Sequence, residues 1–516
     1  MRQKQKVLLI RPFFEVLRHE LGSGFLPYEP LGLLCLQSAL LVKGHQVELY
    51  DCLLEHPEKT RYIKEKNIYR CGSEEEDIIK KIKRFRPDIV CISGMFFSQQ
   101  DSFFRVAELA KQVSSEILVV GGGIFPSMYQ EKILLENKNF DVIVVGEGEE
   151  IIVNLLDNLD DLAKVKGIYY RDEADKIIGT GPHELARDLD KLPFPHRDFS
   201  KIFNYSKHVG YNWSDKFDLK KSLKRFVYYR LLFLPVIRNL VAKYFNWKHR
   251  NKPKALLIPH AFLSTSRGCP NRCTFCSVHK FWSGLYRMRS TEDVLKEIDW
   301  LVRHGVKEIA IVDENFTLSR QRTIEICKGI IARGYKIRLS SQSGFYLPTL
   351  DKEVLELLYQ AGLRFLHFSI ENGDETFLNN VIKKRLDLEY IKKIISQAKE
   401  IGMRTTGYFI FGYPQETKDT MIKTLRFAFE SGLDSARFYI LVPFPGTEVY
   451  EVAVRMGAIE GELNMTKLRY TTDLPQIETK EFTKEDVQKI YDLAYDILKK
   501  QNYEEVKDKI EEILNW

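Results

Sequence analysis

The sequence lacks any uninterrupted apolar run of about 18 residues, so we expect no membrane-spanning helix. Its opening stretch is short and basic and leads directly into a strand-like run, unlike a secretory signal. Eight cysteines among 516 residues are too few for a disulfide scaffold, which indicates a reducing compartment. A formal net charge of +7 is too small for this length to indicate nucleic-acid binding. We therefore expect a cytoplasmic protein without a nucleic-acid partner.

Residues 1–160 show a regular alternation of strand and helix patterns. Continuous apolar runs, typical of buried strands, lie at residues 6–10, 46–50, 88–93, 117–120 and 141–145. Helical patterns lie between them, at residues 31–43, 78–84 and 102–113. Buried strands that alternate with helices indicate a parallel sheet covered on both faces. We therefore predict an α/β fold that begins with a doubly wound, flavodoxin-like domain.

The alternation stops near Pro193 and Pro195 and resumes at about residue 261. Six further strand patterns follow, at residues 262–266, 308–312, 336–340, 365–370, 406–411 and 435–441. Six repeats fit part of a (β/α) barrel as well as an open sheet. The charged tail after Phe482 has a helical pattern, with Thr483 as the expected N-terminal cap. The predicted organisation is a first domain at residues 1–185, a linker at 186–260, a partial barrel at 261–457 and a helical region at 458–516.

Three of the eight cysteines, Cys269, Cys273 and Cys276, lie within eight residues directly after a predicted strand. Thiolates bind iron–sulfur clusters or zinc, and such short spacing lets one loop surround the metal. His279 keeps a zinc site as an alternative, although the only later cysteine, Cys327, is far downstream. Three protein ligands leave one metal position open, which favours a cofactor or substrate site over a structural one.

The spacing Cys-x3-Cys-x2-Cys, with Phe275 before the last cysteine, resembles the radical S-adenosylmethionine (SAM) superfamily. The resemblance implies that the three thiolates hold a 4Fe-4S cluster, whose open iron chelates SAM and cleaves it to a 5′-deoxyadenosyl radical. It also implies that Phe275 lies against the adenine. Two cations flank the cysteines, Arg267 and Lys280, and they either surround the loop with positive charge or are ordinary solvated residues. The superfamily's remaining SAM contacts correspond, in order along the chain, to Asp313, Glu314, Asn315, Ser369, Glu371, Gly412 and Pro445.

The first domain resembles the cobalamin-binding domain that precedes radical SAM domains in one large class. Glycines after successive parallel strands let a flat macrocycle lie close to the backbone, although routine turns of a flavodoxin-like fold are the alternative. Glu29 stands where some cobalamin domains carry a histidine ligand, so the resemblance implies cobalamin without a histidine from this motif. The residues that carry the resemblance are Glu29, Gly32, Ser93, Gly94, Gly121, Gly122, Gly123, Gly146 and Glu147.

Together the two resemblances imply a cobalamin-dependent radical SAM enzyme that methylates an unactivated carbon of a small-molecule or lipid-like substrate. They also imply an external electron donor such as flavodoxin or ferredoxin. One alternative is an oxidative cyclase or a methylthiotransferase-type enzyme without functional cobalamin. Another is a non-catalytic iron–sulfur or cobalamin carrier. No catalytic acid or base can be singled out from the sequence.

A basic, aromatic insert separates the two predicted domains. Residues 219–254 contain eleven Lys or Arg and no acidic residue, and residues 226–247 are largely apolar and aromatic. Pro235 is expected to kink or divide a helix here. We weigh two interpretations: a helical cap over the active site, and an amphipathic segment, residues 222–247, that contacts the inner face of a membrane peripherally.

Overall fold

The structure is a computed structural model, and it describes residues 4–17, 29–56, 59–199, 260–341, 345–459 and 474–500. The basic aromatic insert lies outside the described residues, as do Pro27 and Tyr28 at the start of the predicted cobalamin motif. No helix in the part of the chain that the structure describes is long and apolar enough to cross a membrane. The boundaries of the four predicted domains stay a prediction.

The N-terminal unit is built around one mixed sheet with helices on both faces. Its elements are β1 (Lys6–Arg11), β2 (Phe14–Leu17), α1 (Leu31–Val42), β3 (Gln46–Asp51), α2 (Cys52–Glu55), β4 (Thr60–Ile63), β5 (Ile68–Cys71), α3 (Glu75–Phe85), β6 (Ile89–Ser93), α4 (Gln100–Val113), β7 (Leu118–Gly122), α5 (Ile124–Glu136), β8 (Val142–Val144), α6 (Gly148–Asp157), β9 (Ile168–Arg171) and β10 (Ile177–Gly179). Five parallel strands run in the order β3-β1-β6-β7-β8, which is the flavodoxin-like order, so the predicted doubly wound fold is confirmed.

The sequence patterns missed the antiparallel strands of this unit. Strand β9 extends the main sheet antiparallel to β8, and β10 pairs antiparallel with β9. Strands β2, β5 and β4 form a small separate antiparallel sheet. These strands are only three or four residues long, and both middle residues of β4 are exposed. A short strand with exposed side chains has neither a continuous apolar run nor a clean alternation, so its sequence carries little signal.

The second unit contains six parallel strands with helices outside them. Its elements are β11 (His260–Leu263), β12 (Ser266–Arg267), α7 (Val278–Phe281), β13 (Arg287–Met288), α8 (Thr291–Arg303), β14 (Glu308–Ile311), α9 (Arg320–Ala332), β15 (Arg338–Ser340), α10 (Lys352–Gln360), β16 (Phe365–Glu371), α11 (Glu375–Asn380), α12 (Leu388–Ile401), β17 (Arg404–Phe411), α13 (Lys418–Glu430), β18 (Ser435–Ile440), α14 (Glu448–Arg455) and α15 (Lys484–Lys500).

These strands form a partial (β/α)6 barrel, as predicted. The order is β11-β14-β15 followed by β16-β17-β18, and a parallel bridge between Leu339 and Leu363 joins the two halves. Among the described residues, β18 does not pair with β11, so the barrel is open on one side. Helix α15 packs on β18, and the predicted cap is present because Thr483 Oγ1 accepts a hydrogen bond from the Asp486 amide.

The two units pack directly against each other. Val442, which follows β18, belongs to the apolar core of the N-terminal unit, and the Phe444 ring stacks on Phe97 at 5.3 Å. The carboxyl-end loops of the barrel therefore meet the carboxyl-end loops of the flavodoxin-like sheet. Ligands of both sheet types bind at these ends, so the packing places two ligand-binding edges together.

A buried arginine provides a second connection between the units. Arg197 donates to Glu29 of the N-terminal unit and to Glu297 on α8 of the barrel, each at 2.8 Å. A third hydrogen bond goes to the Phe262 carbonyl at 2.5 Å, and the Arg197 side chain is fully buried. Because an unpaired charge at this depth is costly, the network fixes the orientation of the two units.

Candidate cluster and cofactor site

The three predicted cysteine ligands lie on one loop between the strands of a short hairpin. Strand β12 pairs antiparallel with β13, and the loop between them includes α7. Gly268 begins the loop with φ +91, and a Cβ atom there would lie 1.9 Å from the Leu285 carbonyl oxygen. No side chain fits at this position, so the glycine before Cys269 is required by the path of the hairpin.

Three consecutive residues after β14 attach this loop to the barrel. Asp313 accepts hydrogen bonds from the Thr265 amide and hydroxyl and from the Ser266 hydroxyl, at 2.5–2.6 Å. Glu314 accepts from the Gly268 amide at 3.1 Å and from the Trp282 indole at 2.7 Å. The Asn315 amide nitrogen lies 2.7 Å from Cys269 Sγ. The sequence predicted that this triplet contacts SAM, whereas in the structure its side chains hold the cysteine loop.

Asp313 has a structural role beside the cysteine loop, and its predicted contact with SAM stays a prediction. Its carboxylate is fully buried and saturated by the segment that precedes the cysteines. Strand β11 ends at Leu263, three residues earlier than the sequence predicted. The Thr265 amide donates to Asp313, so it is not available for pairing within the sheet. Glu314 and Asn315 remain beside the loop, where a ligand on the cysteine side can reach them.

The donor set of the loop fits an anionic metal–sulfur cluster. Cys269, Cys273 and Cys276 are partly exposed and unpaired with one another. Burial raises the pKa of the Cys276 thiol to about 12, so the loop without metal carries a neutral thiol there at pH 7, and metal binding must release its proton. In the described part of the chain, no three Cys, His, Asp or Glu side chains are spaced for a single metal ion.

Lys384 is a buried cation next to this loop, and the sequence reasoning missed it. Its ammonium donates to the Glu371 carboxylate at 2.8 Å and lies 6.0 Å from the centre of the Phe275 ring. Burial alone would lower the pKa of Lys384, but the carboxylate of Glu371 outweighs it and the pKa is raised, so the ammonium stays charged. In sequence, Lys384 belongs to a run of three basic residues that looks like a solvated surface.

The loop cations that the sequence did predict point elsewhere. Arg267 pairs with Glu147 and Glu149 of the N-terminal unit, and Lys280 is an exposed residue 3.6 Å from Glu451. Positive charge near the cysteines therefore comes from the barrel interior, through Lys384, more than from the loop itself. Only burial distinguishes Lys384 from its neighbour Lys383, and burial is not visible in a local sequence pattern.

The remaining predicted SAM residues surround the same end of the barrel. Phe275 packs edge-on against Tyr413 at 6.2 Å, and Glu371 is buried at the end of β16 with φ +74. The amide of Gly412 donates to Glu416 Oε2 at 2.8 Å, which closes the turn after β17. Ser369 lies on the interior face of β16, and Pro445 lies in the half-buried loop after β18. These residues therefore line the barrel mouth together with the cysteine loop.

The predicted cobalamin glycines divide into two kinds. A Cβ atom at Gly123, where φ is +113, would lie 2.6 Å from the Gly94 carbonyl oxygen. Cβ atoms at Gly94 and Gly121 would collide with Pro126 and Ile143, so these three glycines are required by the packing of the sheet itself. Gly122 is less crowded, and its nearest neighbour would be Val144 at 3.7 Å.

Open space lies beside two other glycines. Gly146 has φ +88 and nothing within 4 Å of a Cβ position, and the same space is open at Gly32. Met95, directly after Ser93 and Gly94 at the end of β6, is 47% exposed. Gly32, Met95 and Gly146 all follow parallel strands, at the carboxyl-end edge of the sheet where ligands of this fold bind. Open space and an exposed apolar side chain at this edge fit a large ligand.

Two predicted cobalamin residues have partners in the barrel unit instead. Glu29 is buried and bonded to Arg197, as described above. Glu147 accepts from Arg267 at 2.9 Å and from both terminal nitrogens of Arg287 at 2.8 and 2.9 Å. Burial would raise the pKa of Glu147, but these guanidinium groups hold it below its usual value. Both carboxylates therefore take part in the contact between the units. Their predicted contact with cobalamin stays a prediction.

Glu147 thereby clamps the hairpin that carries the cysteines. Arg267 and Arg287 face each other on β12 and β13, at the two ends of the cysteine loop. Glu147 bridges them from the loop that follows β8 in the N-terminal unit. The position of the cysteine loop is therefore set in part by the neighbouring unit.

Comparison with known protein families matches both units separately. Residues 263–428 match the family model described as the radical SAM superfamily. Residues 23–156 match the model described as the B12 binding domain. The first match spans the cysteine loop and most of the barrel, and the second spans most of the flavodoxin-like sheet.

Several curated proteins are similar over most of the chain. The chain is 28% identical to cytidylyl-2-hydroxyethylphosphonate methyltransferase of Streptomyces wedmorensis, over 91% of this chain and 85% of that protein. It is 28% identical to an uncharacterized methyltransferase of Pyrococcus horikoshii, over 95% and 91%. It is 30% identical to the anaerobic magnesium-protoporphyrin IX monomethyl ester cyclase of Cereibacter sphaeroides, over 73% and 55%.

Solved structures share the fold. The cobalamin-dependent SAM radical enzyme OxsB, with aqua-cobalamin and SAM bound, superposes with a TM-score of 0.69 at 19% identity, over 96% of this chain and 67% of that one. The radical SAM methyltransferase TsrM from Kitasatospora setae superposes with a TM-score of 0.63 at 17% identity, over 89% and 78%. At these identities the likeness concerns the arrangement of the two units.

Proposed function

Because the chain belongs to the radical SAM superfamily and carries a B12-binding domain, we propose that it methylates an unactivated carbon of a small molecule with cobalamin and SAM. The observation that carries this proposal is the packing of the cysteine loop against the open edge of the flavodoxin-like sheet through Glu147. When bound, the 4Fe-4S cluster with SAM supplies a radical that removes a hydrogen atom, and cobalamin supplies the methyl group.

Each residue group of the site has a defined task in this proposal. The thiolates of Cys269, Cys273 and Cys276 hold the cluster, and the Asn315 amide beside Cys269 Sγ fixes one of them. Lys384 offsets negative charge behind the loop. Glu371, next to Lys384, offers a carboxylate to the ribose hydroxyls, and the turn at Gly412 lets the backbone approach the adenine.

The experiment that tests the proposal is anaerobic reconstitution of the full chain with iron, sulfide and hydroxocobalamin, followed by SAM and dithionite. We expect bound cobalt and iron and the formation of 5′-deoxyadenosine. Label from methyl-deuterated SAM should appear on the protein-bound cobalamin. A chain that binds iron and cleaves SAM but retains no cobalt contradicts the cobalamin half of the proposal.

Ring closure is the second candidate reaction. It is favoured by the similarity to magnesium-protoporphyrin cyclases over 73% of the chain. Both reactions begin with removal of a hydrogen atom from the substrate, so they share the barrel site. They differ in the product, since methylation adds the mass of one CH2 group and ring closure does not.

We also propose an acidic electron donor of the flavodoxin or ferredoxin type. Arg272, directly before Cys273, is exposed on the cysteine loop, so the loop presents a positive charge to solvent next to a predicted cluster ligand. A negatively charged donor would be steered to this surface, and the rate should fall with increasing salt.

Lys384 leads to a prediction about the cluster. Replacing Lys384 with Met should lower the reduction potential of the cluster by on the order of tens of millivolts, because a nearby positive charge stabilises the added electron. Potentiometric titration followed by electron paramagnetic resonance measures the shift. Lys384→Arg, which keeps the positive charge, should have a cluster potential close to that of the wild type. Lys383→Met, which removes an exposed neighbouring charge, should leave the potential unchanged. Equal potentials in Lys384→Met and wild type would contradict the prediction.

The absence of a predicted histidine ligand leads to a prediction about cobalt. The described loops after β6, β7 and β8 contain no histidine, and Glu29 is engaged by Arg197. We therefore expect the cobalt(II) form bound to the protein to have no axial nitrogen. Electron paramagnetic resonance should show no superhyperfine splitting, in contrast to free cobalamin with its own base coordinated. Splitting by one axial nitrogen would show that the protein or the cofactor base supplies a ligand.

A further inference from the structure

The interior face of the second half-barrel carries a connected polar group that the cysteine site does not use. On β16, β17 and β18, alternate side chains such as Phe368, Phe409 and Phe438 are completely buried against the outer helices. The opposite face of the same strands points into the open barrel, because side chains alternate along a strand. Its polar members outside the predicted SAM site include His367, Tyr408, Arg437 and Tyr439.

These side chains contact one another across the three strands. The Tyr408 hydroxyl lies 3.0 Å from His367 Nδ1, and the two rings stack at 5.4 Å. The Tyr439 ring packs edge-on against Tyr408 at 6.1 Å. Arg437 lies two residues before Tyr439 on the same face of β18, and its positive charge opposes the rise in the pKa of Tyr439 that burial causes. The three rings therefore form a connected support beside the guanidinium of Arg437.

The group carries the positive charge of Arg437. Arg437 is exposed, and no carboxylate in the part of the chain that the structure describes forms an ion pair with it. By contrast, Arg338 on β15 lies 3.6 Å from Glu308. A guanidinium has five N–H donors in a fixed fork, and the fork matches the oxygens of a carboxylate or a phosphoryl group.

The register places this charge in the row of Ser369 and one row below Glu371, two of the predicted SAM residues. Ser369, Tyr408 and Arg437 lie in one row across the sheet. The next row toward the carboxyl end contains Glu371, paired with Phe409. A molecule held at Arg437 therefore lies inside the barrel with its remaining atoms directed toward the mouth, where the cysteine loop and Glu371 are.

We propose that Arg437 and Tyr439, supported by the His367–Tyr408 pair, bind an oxyanion of the substrate, so that the substrate is a small molecule with a carboxylate, phosphate or phosphonate group. This inference rests on the proposed function for the statement that the bound molecule is the one that is methylated. The binding of an oxyanion at Arg437 is a property of the barrel itself and is measurable without SAM or cobalamin.

The test uses two pairs of probes with the full chain and saturation-transfer nuclear magnetic resonance. Methylphosphonate and propionate are the anions, and dimethyl methylphosphonate and propionamide are their neutral counterparts. We expect the wild type to bind at least one anion at least about tenfold more tightly than its neutral counterpart. Tighter binding of methylphosphonate would indicate a substrate with a phosphoryl group, and tighter binding of propionate would indicate a carboxylate. Arg437→Gln should abolish the difference, Arg437→Lys should retain part of it, and Arg303→Gln, on the outside of α8, should leave it unchanged.

Two results would overturn the inference. One is equal binding of anions and neutral counterparts by the wild type. The other is unchanged anion binding in Arg437→Gln when circular dichroism shows that the variant is folded. The formation of 5′-deoxyadenosine by the wild type is measured separately, so anion binding without SAM cleavage would contradict the proposed function while leaving the oxyanion site in place.

Discussion

A chain in which Cys269, Cys273 and Cys276 are all replaced by alanine should bind no 4Fe-4S cluster and form no 5′-deoxyadenosine. The three thiols are the only cysteine donors on the hairpin loop, and each iron that loses its thiolate loses its link to the protein. Iron and sulfide analysis after anaerobic reconstitution, with chromatographic detection of 5′-deoxyadenosine, measures both effects. Single alanine variants should lose most of the cluster as well.

Two buried cysteines provide the matched controls. Cys91 lies within β6, and Cys327 lies within α9, far from the loop in the sequence, and both are almost fully buried in apolar cores. Cys91→Ala and Cys327→Ala should lower stability by about 1–2 kcal/mol through the small cavities that they leave, but keep full iron content. A triple variant that still binds near four irons and forms 5′-deoxyadenosine would show that the ligands lie elsewhere.

Replacing Arg197 with Met should destabilise the protein by about 3–5 kcal/mol. The substitution leaves the carboxylates of Glu29 and Glu297 buried without their shared partner, and Glu29 Oε2 already has no hydrogen bond. Denaturant unfolding at pH 7 measures the loss. Arg320→Met is the matched control, because Arg320 also bridges two carboxylates but is exposed, so its removal should cost less than about 1 kcal/mol.

The stability deficit of Arg197→Met should depend on pH in a defined direction. Burial raises the pKa of Glu29 even in the wild type, although Arg197 opposes the rise. Without Arg197 the pKa of Glu29 in the folded protein should rise further. When folding raises the pKa of a carboxyl group, the protein loses stability as pH increases from the pKa of the unfolded state through that of the folded state. The deficit should therefore be smaller at pH 5 than at pH 8. The double variant Glu29→Gln/Arg197→Met should reduce both the deficit and its pH dependence.

The sequence was sufficient for the features that depend on local pattern. Apolar runs located the parallel strands to within a few residues, and the spacing of three cysteines identified the loop that is the centre of the candidate site. Both signals are short-range: buried strands are apolar throughout, and ligands on one loop must be close in sequence. The predicted helix cap at Thr483 is of the same kind.

The roles of charged residues could not be predicted in this way. Nothing in the local pattern indicated that Glu29, Glu147 and Asp313 have protein partners that lie 168, 140 and 48 residues away in the sequence. Lys384 looked like one of several surface lysines. Whether a charged side chain is buried, and which distant group it faces, is decided by tertiary packing, and a single sequence carries no direct record of it.

The clamp formed by Glu147 has a consequence for chimeric enzymes. An engineer who grafts the N-terminal unit of a relative onto this barrel also exchanges the acids that neutralise Arg267 and Arg287. If the donor unit lacks an acid at the position of Glu147, Arg287 loses its counter-charge and Arg267 keeps only Glu149. The two units of the chimera should then dock poorly even when each unit folds. Exchanging the loop at residues 146–149 together with the β12–β13 hairpin keeps both sides of the clamp from one parent, and it defines the smallest interchangeable unit across this interface.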